Sequence, residues 1–163
     1  MEFDKDVGRL QRLMAASIAG FNRRQAILET LSINSGDRII DVGCGAGQLL
    51  GHLAKAVGEH GEVIGLDPSA DQLAQAKLSC SDFSNVTLLE KGADETGLPN
   101  DSCDAATSTQ ALEYIPDEDA ALAEITRVLK PGGSFVNVSI LWDHFRFYGA
   151  DTKLNDEIHE VFR

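Results

Sequence analysis

Apolar residues along this chain recur with two periods, and the alternation between them predicts the architecture. Val7, Leu10, Met14 and Ile18 fall at three-to-four spacing, as do Ile27, Leu28 and Leu31 after Phe21, so a helix or helix pair comes first. Asn34, Ser35, Gly36 and Asp37 form a turn into a short strand at residues 38–40. Leu49, Leu50, Leu53 and Val57 then give a helix ending near Gly58, and EVIGLD, residues 62–67, gives a second strand. Leu73, Ala76 and Cys80 stripe the next helix, started by Ser69 or Asp71. Further strands are expected at residues 86–90, 104–109 and 134–140. Between the last two, Pro116 and Asp117 open a helix with Leu122, Ile125 and Val128 as its buried stripe. Arg127 and Lys130 lie near its negative end, and Pro131, Gly132 and Gly133 stop it.

Strict alternation of this kind calls for an α/β fold, a doubly wound parallel sheet with helices on both faces. In such sheets ligands lie beyond the carboxyl ends of the strands, where the strand order reverses. Asp41 through Gly47, Asp67, and the residues after the third and fourth strands all converge there. Residues 1–32 form an N-terminal helical segment ahead of a domain at 33–163; it is either a lid over the pocket or a cover for one sheet face.

Bulk properties narrow the partners. A chain of 163 residues is one domain of ordinary size. Its 26 acids against 14 bases leave a net charge of −12, which repels a phosphate backbone, so nucleic acid is not expected as a partner. No apolar stretch approaches the roughly 20 residues of a membrane span, and the charged N-terminus lacks a secretory apolar segment. Cys44, Cys80 and Cys103 are too scattered for a disulfide framework or a metal site and read as free thiols. The expected location is the cytoplasm, with no membrane partner and no metal.

Candidate chemistry centres on DVGCGAGQL, residues 41–49. Gly43, Gly45 and Gly47 allow positive φ and close approach of the main chain, including that of Cys44, to a ligand. The following helix points free N–H groups at the same spot, which suits an anionic or carboxylate-bearing ligand. The dinucleotide fingerprint GxGxxG is not met: the third glycine comes one residue early and Gln48 stands where that pattern needs glycine. Asp67 closes the second strand about 20 residues after the loop, the offset of a carboxylate that accepts ribose hydroxyls. Pro68 and Ser69 then begin the next helix.

A GxGxG loop with an acid, Asp41, two positions ahead of it resembles motif I of the class I S-adenosylmethionine-dependent methyltransferases, where the loop wraps the methionine end of the cofactor. KGADETGLPNDSCD, residues 91–104, resembles the stretch in which the type-11 branch sets an acid against the adenine amino group; Asp94 matches that acid, and Ala93 and Glu95 flank it. Ser108, Thr109 and Gln110 resemble the segment beside the methionine and the transferable methyl. RVLKPGG, residues 127–133, is similar to the family's helix end before strand five. The resemblance covers about residues 33–140 and implies a Rossmann-like fold with S-adenosyl-L-methionine as cofactor. The cofactor-binding residues it implies are Asp41, Gly43, Cys44, Gly45, Gly47, Asp67, Pro68, Ala93, Asp94, Thr109 and Gln110. No Asn- or Asp-Pro-Pro-aromatic segment follows strand four, so the implied acceptor is a small molecule, not a nucleobase. Such domains normally continue to a sixth strand and an antiparallel seventh. Here the expectation is a truncated chain or fragment, with residues 155–163 as a helix cut short and strand five as an open edge where a homodimer could form.

The implied reaction is in-line attack of an acceptor atom on the sulfonium methyl, the protein aligning the reactants and excluding water. No catalytic residue is assigned. Tyr114, Asp143 and His144 are the candidate bases, each equally readable as packing, helix cap or surface residue, and Trp142 and Phe145 could wall an apolar acceptor pocket or belong to the core. Cys44 has no His or second Cys in sequence reach and is not expected to react. Two alternatives stand beside this reading: an NAD-dependent oxidoreductase on the same fold, and a non-catalytic S-adenosylmethionine-binding or scaffold protein.

Overall fold

A computed structural model of the chain describes residues 16–139 together with positions 13, 152 and 153. Helix α1 spans Ile18–Leu31, β1 Arg38–Val42, α2 Leu50–Val57, β2 Glu62–Leu66, α3 Ala70–Ser79 and β3 Val86–Leu89. Then come β4 Cys103–Thr109, a 3₁₀ turn at Leu112–Tyr114, α4 Glu118–Val128 and β5 Leu129–Val138. The strands form one parallel sheet in the order β3-β2-β1-β4-β5. The order reverses between β1 and β4, which makes their carboxyl ends the switch point.

Register separates the two faces. Ile39, Val63 and Ala105 stand side by side in the sheet and pack with Ile27 and Leu31 of α1, Leu50, Leu53 and Val57 of α2, and Leu73 and Ala76 of α3. Ile40, Ile64 and Ala106 face the other way, onto Ala121, Ile125 and Val128 of α4. A strand covered on both sides must be apolar throughout, which explains why β1 and β2 read as continuous runs.

Caps set the helix starts. The Ser17 side chain accepts from Gly20 N at the start of α1, Ser69 from Gln72 N at α3, and Asp117 from Ala120 N at α4. Helix α2 has no side-chain cap and begins only at Leu50, after a turn through Gln48 and Leu49.

Packing departs from the apolar pattern in three places. Ile18 is 81% exposed and Phe21 50%, because α1 turns Gly20, Ile27 and Leu31 inward. Leu122 is 39% exposed, and the smaller Ala121 takes the inward position on α4. Helix α4 ends at Val128 with Leu129 already extended, so β5 starts before Pro131. Cys103 pairs with Leu129 but Ala105 with Ser134, so the intervening Lys-Pro-Gly-Gly is an excursion within the strand pairing, not a turn ahead of it. Val7, Leu10, Met14, Trp142, Asp143, His144, Phe145, Ile158 and Val161 lie outside the described residues.

Candidate functional site

The loop after β1 is pinned to β2 before it reaches α2. Gly43 N and Cys44 N both donate to Leu66 O, at 2.8 and 3.0 Å, and Gly47 N donates to Cys44 O at 3.0 Å. The three glycines all have positive φ, of 74°, 53° and 80°, but serve different ends. A Cβ at Gly43 would lie 2.2 Å from Ala111 Cβ, so this residue lets the segment after β4 sit on the loop. A Cβ at Gly47 would meet the Ala76 backbone at 3.1 Å, so this one seats α3. A Cβ at Gly45 would meet nothing within 4 Å and would project into open space. Gly45 is therefore the position where bare main chain faces a cradle.

Asp67 follows β2 directly and is tied to that cradle. Its Oδ2 accepts from Gly45 N at 2.9 Å and its Oδ1 from Ser69 N at 2.9 Å. Burial pushes its carboxyl up, while those two N–H groups pull it back. Pro68, beside it, is exposed. Asp41, on β1, is 2% exposed, and its Oδ1 has no hydrogen-bond partner among the described residues. Desolvation, reinforced by the charge of Asp67, pushes its carboxyl up to about 7.

Strand β4 brings a second polar set that the sequence reading only partly named. Thr107 pairs in register with Asp41 and shares its face of the sheet. The hydroxyls of Thr107, Ser108 and Thr109 are buried and, among the described residues, unpartnered. Thr107 was missed, and Ser108 was placed in the segment beside the methionine without being counted among the cofactor-binding residues, although a buried strand that ends in Thr-Ser-Thr instead of branched aliphatics signals both. Gln110 turns the chain at φ 53°, donates its N–H to Val138 O at 2.6 Å, and accepts through Oε1 from Arg23 Nη1 of α1. Arg23 carried no motif signal, and only the packing of α1 over this half of the sheet brings it there.

The connection from β3 to β4 completes the ring of candidates. Ala93 is buried in the same core as Val42 and Leu66, the last residues of β1 and β2, which holds this loop against the switch point. Asp94 is exposed, its carboxylate lying over Gly92, where a Cβ would come within 2.4 Å of Oδ1. Tyr114 is 37% exposed in the 3₁₀ turn, and burial followed by the Glu113 charge raises its phenol. Cys44 points into the core beside Gly65, whose missing side chain makes room for its Sγ. Burial and the neighbouring carboxylates push that thiol up, so it stays protonated and inert. Cys80 and Cys103 are likewise buried and free, and no metal-binding group occurs among the described residues.

Residues 39–133, more than half of the chain, match the family model for a methyltransferase domain. The chain belongs to the class I S-adenosylmethionine-dependent methyltransferases. Among relatives of this chain, the demethylmenaquinone methyltransferase of Staphylococcus saprophyticus is 36% identical over 113 residues, 69% of this chain and 48% of that protein. An S-adenosylmethionine-dependent methyltransferase from Mesorhizobium loti is 33% identical, with a TM-score of 0.64 over 74% of this chain and 54% of that one. One from Aquifex aeolicus shares the fold with a TM-score of 0.71 at 24% identity, over 80% of this chain and 70% of that one. The chain spans about half the length of the curated relatives it matches. Family membership sets aside the oxidoreductase alternative and makes S-adenosyl-L-methionine the cofactor. The site suits that group: Gly45 leaves room for it against bare main chain, and Asp41 offers a buried carboxyl oxygen that lacks a partner among the described residues. Among the described residues no helix is long and apolar enough to cross a membrane.

Proposed function

We propose that this chain binds S-adenosylmethionine across the β1/β4 switch point and that the protein containing it transfers the methyl group to a small-molecule acceptor in the cytoplasm. The cofactor supplies an activated methyl on a sulfonium sulfur. The chain's own residues bind and orient it. Gly43, Gly45 and Gly47, with the Cys44 main chain between them, carry the methionine end. Asp67 and Pro68 border the ribose, the carboxylate accepting its hydroxyls through lone pairs that Gly45 and Ser69 leave available. Ala93 and Asp94 border the adenine, the carboxylate accepting from its amino group. Thr109 and Gln110 face the reacting end, and Asp41 lies beneath it. The observation that carries this reading is the Gly45 N to Asp67 Oδ2 bond, 2.9 Å long, which joins the bare loop and the acid in one cradle.

The acceptor reading draws on two things: a net charge of −12 that disfavours a polyanion, and a relative whose printed name is that of a methyltransferase acting on demethylmenaquinone. Edge strand β5 is the surface where we expect a second copy to pair. Thermal shift with S-adenosylhomocysteine, NAD and NADP tests the cofactor. Stabilisation by the first alone is the expected result, and stabilisation by a dinucleotide alone would overturn the reading. Methyl transfer to no acceptor despite tight cofactor binding would favour a scaffold.

A further inference from the structure

Residues 90–102 connect β3 to β4 without forming a helix or strand, so their main-chain polar groups must find partners elsewhere. Many of them find α4. Thr96 N and Thr96 Oγ1 both donate to Glu124 Oε1, at 2.9 and 2.6 Å, and Leu98 N donates back to Thr96 Oγ1 at 3.2 Å. Arg127 grips Glu124 in bidentate fashion, Nε to Oε2 at 2.6 Å and Nη2 to Oε1 at 2.7 Å. The same guanidinium donates to Leu98 O at 2.8 Å and Asn100 Oδ1 at 2.5 Å. Asp101 N and Ser102 N then donate to Arg127 O and Val128 O. Glu124 thus collects three donors on one oxygen, two of them from a buried threonine. The paired guanidinium and the Thr96 donors hold its carboxyl down to about 2, against burial.

Asp94 sits two residues ahead of this clamp. Its turn closes through Glu95 N to Gly92 O at 3.3 Å, and among the described residues no hydrogen bond holds its carboxylate. Its aim is therefore set by the main chain on either side: Ala93, buried in the core, and Thr96, fastened to α4.

We propose that Glu124, clamped by Arg127, is a positioning residue that acts through Thr96 to hold the Asp94 carboxylate at the adenine amino group, so that α4, which shares its core with Ala93, sets recognition of that amino group. This rests on the adenine role proposed for Asp94. A strand-to-strand loop usually takes its shape from its own turns; this one takes it from an ion pair on a neighbouring helix.

Calorimetric titration of the full chain with S-adenosylhomocysteine, and with its analogue in which the adenine amino group is replaced by oxygen, tests the proposal. Glu124→Ala should weaken S-adenosylhomocysteine about tenfold, the loss of one well-placed hydrogen bond, and the oxo analogue less than about twofold. Glu124→Gln, whose amide oxygen still accepts from Thr96, should recover most of the loss. In the Asp94→Ala background, Glu124→Ala should have no further effect. Should Glu124→Ala not fold, Thr96→Val, which keeps the ion pair, should show the same selectivity at smaller size. Equal losses for both ligands, or additive losses with Asp94→Ala, would overturn the positioning role. If Asp94→Ala alone binds like the wild type, the adenine role falls and this inference with it; if only Asp94→Ala shows the selective loss, the adenine role stands and the Glu124 role fails.

Discussion

Asp67 has each of its oxygens on a main-chain N–H 2.9 Å away, whereas Asp94 has no such support among the described residues and lies two residues ahead of a clamp built from side chains of another helix. The half of the cradle around β1 and β2 is preformed by backbone: strand ends, glycine turns and the acid that bridges them lie within one continuous segment. The half around the β3–β4 loop is held in place across the molecule. Backbone-held sites fail through sterics at a few glycines. Clamped sites fail gradually, through the loss of individual polar partners.

That contrast can be broken most severely at Gly43. Gly43→Val puts a Cβ about where Ala111 Cβ already lies, at a φ that β-branched residues avoid, and should cost about 3–5 kcal/mol of stability in urea denaturation. An unchanged midpoint would show that the loop is softer than its bonds imply. Gly45→Val meets open space instead, so its expected stability loss is only about 1–2 kcal/mol of backbone strain. Its affinity for S-adenosylhomocysteine should nonetheless fall about a hundredfold, or roughly 2.7 kcal/mol; normal binding would remove the close-approach argument. Asp67→Ala should weaken the same ligand by about 1.5–3 kcal/mol by calorimetry, and should also loosen Gly45.

The smallest effect concerns Asp41, whose folded-state carboxyl titrates near 7 against an ordinary 3.8. Between those values the native state binds more protons than the unfolded chain, so this group makes stability fall as pH rises through that window. Asp41→Asn should therefore be the more stable protein above pH 7, by about 1 kcal/mol because an amide remains buried there, and should lose that advantage near pH 4. Thermal unfolding at the two pH values checks the sign. Equal differences at both would mean that burial does not raise the Asp41 carboxyl on folding.

Much of this was legible beforehand because it depends on local rules. Gly43, Gly45 and Gly47 need their conformations wherever the chain runs, and Ile39 and Ile40 read as a strand buried on both faces. Ser69 or Asp71, and Pro116 with Asp117, marked the starts of their helices, and Ser69 and Asp117 are the residues that cap them. Less legible were positions whose meaning depends on a distant neighbour. Leu122 matched the helical period as well as Ala121 did, but the space against the sheet admits the smaller residue. Pro131, Gly132 and Gly133 read as a stop before β5, whereas Cys103 pairs with Leu129 upstream of them. Nothing along the chain linked Thr96 to Glu124, or Arg23 to Gln110.

Sequence alone was sufficient for the alternating order of strands and helices, the glycine loop and the spacing of its acids, because periodicity and backbone freedom act over a few residues at a time. Tertiary structure decided which glycine faces the cradle, which hydroxyls gather beside Asp41, and what holds Asp94. Those are matters of burial and of partners far apart in the chain, and they are settled only when the sheet register and helix packing bring the faces together.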